Sequence, residues 1–237
     1  MYDFLKTYEL FDLTKTIAAP LFERYEYPWQ VLPEISDFIK ALISALPDDI
    51  YEKREGNICI ARSAKIAPTA FIGENVIICE DAEVRHCAFI RTNAIVGRAA
   101  TVGNSTELKN AILFDGAQAP HFNYVGDSVY GYKAHTGAGV ITSNLKSDKT
   151  LVSILVNGER VQSGLKKFGA ILGDHVEVGC NSVLNPGTVI GKNSSVYPLS
   201  SVRGFVPAGS IFKNKNGRVV FVTATGSRYD LDTDFKS

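Results

Sequence analysis

The sequence predicts an all-β fold, a parallel β-helix built from six-residue repeats. An aliphatic residue recurs at every sixth position in one long run and again in a second run nearer the C-terminal end. The two runs are Ile60, Ile66, Ile72, Ile78, Val84, Ile90, Val96, Val102 and Leu108, then Leu172, Val178, Leu184, Ile190, Val196 and Val202. An amphipathic helix would repeat its apolar residues at spacings of three and four, so the sixfold spacing excludes it.

A second repeated position indicates how each unit turns a corner. Four residues after most aliphatic positions stands a small residue, as at Ala64, Ala70 and Ala82. The aliphatic residue fills the interior, and the small residue fits a crowded corner. Three units form a triangular coil, and coils stack at the ~4.8 Å spacing of neighbouring strands. Because one coil cannot bury its own face, several must stack into a solenoid.

Two stretches depart from the repeat. The frame is interrupted between about Leu113 and Thr136, and residues 145–168 leave it altogether. Within the second stretch, Asn157-Gly158 separates Leu151–Val156 from Arg160–Gln162, which predicts a hairpin with a tight turn. We expect a loop excursion on one face of the solenoid, where such loops commonly line a binding site.

The two ends lack the repeat. The stretch that precedes the first repeat contains one apolar set at helical spacing, which predicts an amphipathic helix. That set is Ile35, Phe38, Ile39, Leu42, Ile43 and Leu46. We expect residues 1–56 to form a mostly helical cap over the first coil, residues 57–210 to form the β-helix with its excursion at 145–168, and residues 211–237 to form a C-terminal hairpin and tail.

Composition narrows the function. The 237 residues contain 25 Lys plus Arg and 25 Asp plus Glu, which argues against a broad nucleic-acid-binding face. No stretch reaches the ~20 apolar residues that span a bilayer, and the N-terminus lacks a secretion signal. The four cysteines show no metal-binding spacing. These features predict a cytoplasmic protein with reduced thiols, no membrane contact and no metal site.

Three residues are candidates for chemistry. His121 lies where the repeat is broken, and a neutral imidazole can act as a general base near pH 7; the alternative is a structural histidine. Arg91 and Lys109 each follow an aliphatic repeat position, one coil apart. We expect them to stack on one edge and hold a phosphate, although two solvated surface cations would show the same spacing.

A longer motif surrounds His121. It continues through Tyr124 and Gly126-Asp127 to Gly137-Ala138-Gly139 and Asn144, and a Ser-Gly-Leu-Lys-Lys segment follows at 163–167. Over roughly residues 60–207 the chain resembles the C-terminal acetyltransferase domain of bacterial bifunctional UDP-N-acetylglucosamine pyrophosphorylase/glucosamine-1-phosphate acetyltransferases. It resembles the archaeal-type sugar-1-phosphate nucleotidylyltransferase/acetyltransferases still more. The resemblance implies a left-handed β-helix and a homotrimer with sites at subunit interfaces.

The resemblance also implies roles for individual residues. His121 would be the general base. The acceptor would be held by Arg91 and Lys109 at its phosphate and by Tyr124, His135, Asn144 and Lys149 at or near its sugar. Acetyl-CoA would contact Ala138, Gly139, Cys180 and Pro198, with a backbone N–H near Gly137–Gly139 facing the oxyanion. His135, Cys180 and Pro198 depart from the residues that the family usually has.

The predicted function is an acetyl-CoA-dependent N-acetyltransferase that acts on an amino-sugar phosphate resembling glucosamine 1-phosphate. Residues 1–56 are too few for a nucleotidylyltransferase domain, which a separate partner would then supply. One alternative is a sugar-phosphate or nucleotide-sugar binding or regulatory protein that has lost acyl transfer. Others are a hexapeptide enzyme for another substrate class, including a metalloenzyme of the carbonic anhydrase type, and a structural solenoid with no ligand site.

Overall fold

Short helices open the chain, and strands follow; the computed structural model describes residues 2–215 and 218–223. The α-helices are α1 (Thr7–Leu10), α2 (Ala19–Phe22) and α3 (Ile35–Ile43), and the 3₁₀ helices are Asp3–Leu5, Leu13–Lys15 and Pro28–Glu34. Helix α3 confirms the predicted amphipathic helix, since it buries Ile35, Phe38 and Ile39.

The strands build a parallel β-solenoid, which confirms the predicted fold class. In chain order they are β1 (Tyr51–Arg54), β2 (Ile58–Ala61), β3 (Lys65–Ile66), β4 (Phe71–Ile78), β5 (Glu83–Val84), β6 (Phe89–Val96), β7 (Thr101–Asn104), β8 (Glu107–Leu113), β9 (Gln118–His121), β10 (Tyr124–Tyr130), β11 (His135–Thr136), β12 (Ile141–Thr142), β13 (Ser153–Val156), β14 (Glu159–Gln162), β15 (Ala170–Leu172), β16 (Glu177–Val178), β17 (Val183–Leu184), β18 (Thr188–Ile190), β19 (Ser195–Val196), β20 (Ser201–Val202), β21 (Phe205–Val206), β22 (Ser210–Lys215) and β23 (Arg218–Thr223).

Three faces enclose the core. Strands β4, β6, β8 and β10 bend in their middle, so their first halves form the first face and their second halves the second face. Strands β12, β17 and β20 continue the first face, and β15, β18 and β21 continue the second. The third face is the nine-stranded sheet that runs from β3 to β23. The repeated aliphatic residues, such as Val84, Val102 and Leu108, are buried inside.

The solenoid continues through the stretch that the sequence pattern marked as interrupted. Strand β6 pairs Ile90 with Leu108 and then Thr92 with Lys109, so the separation between partners shortens by one position inside this strand. The next coils keep the shorter period. The six-residue pattern therefore shifts by one position in each coil between β6 and β12. The predicted interruption of the repeat is a set of shortened coils and not a break in the solenoid.

The helical part of the N-terminal segment lies along the second face and not over the first coil, where the sequence analysis placed all of residues 1–56. The outward residues of that face are apolar, and they form one buried cluster with Leu10, Trp29 and Ile39 of the segment. They are Ile77, Ile95, Ile112, Val129, Ile171 and Val189. Only the last part of residues 1–56 covers the edge of the first coil, where β1 pairs antiparallel with β2.

The excursion and the C-terminal strands complete the fold. Strands β13 and β14 pair antiparallel, and Asn157 and Gly158 both have positive φ, which confirms the predicted hairpin and its turn. Strand β22 joins the last coil through β19 and pairs antiparallel with β23. The predicted tail, residues 224–237, lies outside the described residues. No helix in the described part is both long and apolar enough to cross a membrane.

Candidate active site

One corner of the solenoid gathers the predicted base and the predicted acetyl-CoA contacts. This site corner joins the third face to the first and turns at Cys87, Ser105, Phe122, Gly139, Asn181 and Leu199, all with positive φ. Along it the backbone carbonyls of His121, Ala138 and Cys180 each accept a hydrogen bond from the next coil, at 3.1, 2.8 and 2.9 Å. These three residues therefore occupy equivalent positions in successive coils, and Pro198 follows Cys180 in the same column.

The backbone of His121 is fixed and its ring is exposed. Its N–H donates to the Asn123 side chain at 3.1 Å, and the buried Asn123 amide donates in turn to the Gly137 carbonyl at 2.8 Å. The imidazole lies 6.4 Å from the Phe122 ring. Among residues 2–215 no side chain hydrogen-bonds the His121 ring, so both of its nitrogens are available to a substrate.

The N–H groups near Gly137–Gly139 differ in availability. The Gly137 N–H donates to Val178 and the Gly139 N–H donates to His121. The Ala138 N–H has no backbone acceptor in the described part of the chain. Of the three candidates for an oxyanion donor, Ala138 is therefore the one whose hydrogen is free.

A polar cluster lies on the first face, just past the site corner. Its members are Arg91, Glu107, Lys109, Tyr124, Asp127 and Asn144. The Lys109 ammonium contacts both carboxylate oxygens of Asp127, at 2.9 and 3.0 Å. Asn144 donates to the same carboxylate and to the Tyr124 hydroxyl oxygen, the latter at 3.2 Å. The structure thus brings Lys109, Tyr124 and Asn144 together around a buried carboxylate.

Arg91 belongs to this cluster, but its position relative to Lys109 differs from the prediction. It falls between Ile90 and Thr92, where the register shifts, and Thr92 pairs with Lys109. The expected stacking of Arg91 on Lys109 is therefore wrong, because Arg91 is the extra residue of a β-bulge. Its guanidinium contacts the Glu107 carboxylate at 2.8 Å.

Charge in the polar cluster is balanced. Arg91 pairs with Glu107 and Lys109 pairs with Asp127, so two cations face two carboxylates. Burial raises the pKa of the Tyr124 phenol, and the nearby Asp127 and Glu107 carboxylates raise it further. The phenol stays protonated at neutral pH, and since its oxygen accepts from Asn144, its hydrogen can donate to a substrate oxygen.

Two predicted substrate contacts lie elsewhere. His135 is on the third face, and its Nδ1 atom lies 2.7 Å from the Glu177 carboxylate. Lys149 is exposed in the excursion with positive φ. The single chain does not bring either residue to His121 or to the polar cluster.

Asp127 and Asn110 were missed as site residues by the sequence analysis. Asp127 is 4% exposed, and Asn110 donates to its carboxylate at 3.0 Å and to the Leu32 carbonyl at 3.0 Å. A signal was present in the sequence, since Asn or Asp recurs once per coil along the corner between the first and second faces. These positions are Asn57, Asn75, Asn93, Asn110, Asp127 and Asn144.

No metal-binding group emerges from the described residues. Within them no three His, Cys, Asp or Glu side chains are close enough to hold an ion. His86 is hydrogen-bonded to Thr69 and His135 to Glu177, so neither converges on His121 within one chain.

The repeated coils define a hexapeptide-repeat β-solenoid, with His121 at the site corner and Tyr124 and Asn144 in the adjoining polar cluster. More particularly, comparison with known proteins confirms the predicted resemblance to bifunctional sugar-1-phosphate nucleotidylyltransferase/acetyltransferases. A protein of that name from Sulfurisphaera tokodaii is 39% identical over 112 residues, which is 47% of this chain and 28% of the relative. The bifunctional protein GlmU of Methanococcus maripaludis is 38% identical over 172 residues, which is 72% of this chain and 42% of the relative.

Two further comparisons cover the same region. The family model described as the GMPPB C-terminal domain matches residues 74–191. A solved hexapeptide transferase family protein from Anaplasma phagocytophilum is 14% identical, with a TM-score of 0.42, over 74% of this chain and 85% of its own. The chain spans less than half the length of the curated relatives described above.

Proposed function

We propose that the chain is an acetyl-CoA-dependent N-acetyltransferase for an amino-sugar phosphate resembling glucosamine 1-phosphate. The observation that carries the proposal is the site corner, where an exposed imidazole shares one column with Ala138, Cys180 and Pro198. The polar cluster adjoins that column on the first face. The relatives named acetyltransferases support the reaction class.

In the proposed reaction the acceptor amine attacks the thioester carbonyl of acetyl-CoA. His121 takes the amine proton as the C–N bond forms, and general base catalysis of this kind typically contributes ~10²–10⁴-fold. The Ala138 N–H stabilises the oxyanion of the tetrahedral intermediate. When the C–S bond breaks, the proton on His121 passes to the leaving thiolate, and CoA departs as the free thiol.

The proposed acceptor contacts follow from the polar cluster. The Tyr124 hydroxyl and the Asn144 amide donate to sugar oxygens. Arg91 is half-exposed and salt-bridged to Glu107, so a sugar phosphate can replace that carboxylate at little cost. Lys109 is held by Asp127, and we assign it to orienting the cluster as well as to attracting the phosphate.

We also propose that the enzyme is a homotrimer with its sites between subunits. Large apolar side chains are exposed along the site corner and the first face, which indicates an interaction surface. They are Phe71, Phe89, Phe122, Val183, Tyr197 and Leu199. In a closed trimer His135 and Lys149 could reach the site of a neighbouring subunit. Light scattering on the wild type and on Leu199→Asp, whose residue is 80% exposed, tests this assembly.

A binding or regulatory protein without acyl transfer is the second candidate. The neutral polar cluster favours it, because both predicted phosphate ligands already have carboxylate partners. Cys180 and Pro198 also stand where related acyltransferases usually have smaller residues.

The experiment that separates the two candidates measures thiol release from acetyl-CoA with glucosamine 1-phosphate as acceptor. Transfer predicts acceptor-dependent release that falls by about 100-fold or more in His121→Ala. His175→Asn is the matched control, because it removes a histidine at another corner where positive φ suits Asn. Binding of the acceptor with no thiol release in any variant would support the binding protein.

A further inference from the structure

The 3₁₀ helix Pro28–Glu34, which precedes the repeats, lies directly behind the polar cluster. Its Leu32 carbonyl accepts a hydrogen bond from the Asn110 amide at 3.0 Å, and the same amide donates to the Asp127 carboxylate at 3.0 Å. Leu32 is buried, as is Asp127. A single side chain therefore joins the N-terminal segment to the carboxylate at the centre of the cluster.

A second connection runs from the same helix to another part of the cluster. The Trp29 ring stacks on the Phe168 ring, with 5.9 Å between the ring centroids, and both side chains are buried. The Phe168 N–H donates to the Asn144 carbonyl at 2.9 Å. The helix thus supports the backbone of Asn144 as well as the carboxylate that the Asn144 side chain contacts.

The orientation of the Asp127 carboxylate depends on these hydrogen bonds. The terminal torsion of an aspartate is broad, so its neighbours must fix the carboxylate plane. One oxygen accepts from Lys109 and Asn110, and the other accepts from Lys109 and Asn144. Without Asn110 the carboxylate can rotate, and the Asn144 amide that contacts both it and the Tyr124 hydroxyl oxygen loses a fixed partner.

We propose that Asn110 is a positioning residue for the acceptor, and that it acts by coupling the 3₁₀ helix Pro28–Glu34 to Asp127 and Asn144. The inference rests on the proposed function, which places the acceptor sugar on Tyr124 and Asn144. Asn110 lies at the corner between the first and second faces, whereas the proposed acetyl-CoA contacts lie along the site corner. Its loss should therefore affect the acceptor and spare acetyl-CoA.

Asn75 provides a matched control at the same corner, two coils away. Its φ is 53° and that of Asn110 is 52°. The Asn75 amide also donates to the N-terminal segment, at the Ser36 hydroxyl oxygen 3.5 Å away, and to Asn93 at 3.1 Å. Asn75 thus shares the conformation of Asn110 and its link to the N-terminal segment, but it does not contact the polar cluster.

Steady-state kinetics of Asn110→Gly and Asn75→Gly test the proposal. Glycine keeps the left-handed backbone and removes the amide in both variants. In Asn110→Gly the KM for glucosamine 1-phosphate should rise by about 10-fold, the range expected when a hydrogen bond to a charged group is lost. The KM for acetyl-CoA and kcat should change little, and Asn75→Gly should resemble the wild type in all three constants.

The side-chain NH₂ signal of Asn144 gives a readout that needs no turnover. In protein with isotope-labelled asparagine, and with Asn144→Asp to assign the signal, the NH₂ protons should exchange faster in Asn110→Gly and not in Asn75→Gly.

Three outcomes would overturn the inference. They are an unchanged Asn144 signal in Asn110→Gly, a parallel rise in KM for both substrates, and an equal effect of Asn75→Gly. If the wild type releases no thiol, the proposed function fails, and the Asn144 signal alone decides whether Asn110 positions the cluster.

Discussion

Replacing Asp127 by Asn should destabilise the protein more than its small change in shape suggests. The residue has a φ of 47°, a conformation that Asn adopts readily, so the backbone accepts the change. The carboxylate accepts hydrogen bonds from Lys109, Asn110 and Asn144. An amide has one oxygen, and its NH₂ group would face these donors.

The expected loss follows from burial and charge. Breaking a buried ion pair by removing one partner costs about 3–5 kcal/mol. The Lys109 side chain is 20% exposed and can turn partly to water, so we expect about 3 kcal/mol. In a chain of this size that corresponds to a fall in Tm of roughly 6–12 °C.

Thermal and denaturant unfolding of the wild type, Asp127→Asn and Asp127→Asn/Lys109→Met measure this effect. The double variant removes the unpaired charge and should be more stable than the single variant, since loss of both partners is less damaging than loss of one. A single variant within roughly 1 °C of the wild type, or a double variant no more stable than the single, would refute the reasoning.

Three other predictions concern packing and exposure. Gly103→Ala should prevent correct folding of the coil, because its Cβ would lie 1.6 Å from the Pro120 carbonyl oxygen, and expression and circular dichroism report this. Burial raises the pKa of the Cys79 thiol to about 12, so this thiol stays protonated at mildly alkaline pH. A maleimide should then label the exposed Cys87 and leave Cys79 unlabelled, and peptide mapping measures this difference. Trp29 is 2% exposed and should fluoresce in the blue with little acrylamide quenching, and Trp29→Ala should lower the free energy of unfolding by about 3–5 kcal/mol.

Most of the solenoid could be predicted, because the inward position is aliphatic wherever the coil consists of three complete repeats. The shortened coils could not, since Ile112, Leu113 and Phe114 are consecutive and all apolar. Leu113 belongs to the interior cluster, whereas Ile112 and Phe114 lie in the cluster beneath the N-terminal segment. An apolar pattern cannot choose between the two sides when both are buried.

The sequence contains a pattern that predicts where the N-terminal segment packs. On a solenoid with a solvated second face, the residues next to the inward positions would be polar. Here Ile77, Ile95 and Val129 occupy that outward column and are fully buried. A second apolar column at the coil period therefore indicates that another part of the chain covers that face.

Within the site, residue types were easier to predict than their partners. The motif pointed to His121, Tyr124 and Asn144, and the structure places the Asn144 amide in hydrogen-bond contact with the Tyr124 hydroxyl. The ion pairs of Arg91 and Lys109 depend on which residues the coils place side by side, and a one-residue bulge changes that arrangement. Spacing alone could not show that both cations are already neutralised.

The position of the bulge links the fold to the proposed function. The shortened period begins at Arg91 and continues through the coils that hold His121 and Asn144. The later coils return to the full period, as the pairing of Ala170 with Thr188 shows. In a regular coil successive side chains stack as equivalents, whereas a bulge re-aims the side chain at which it occurs. The polar cluster is therefore built where equivalence between coils is lost, and a break in register marks the site better than any single residue in it.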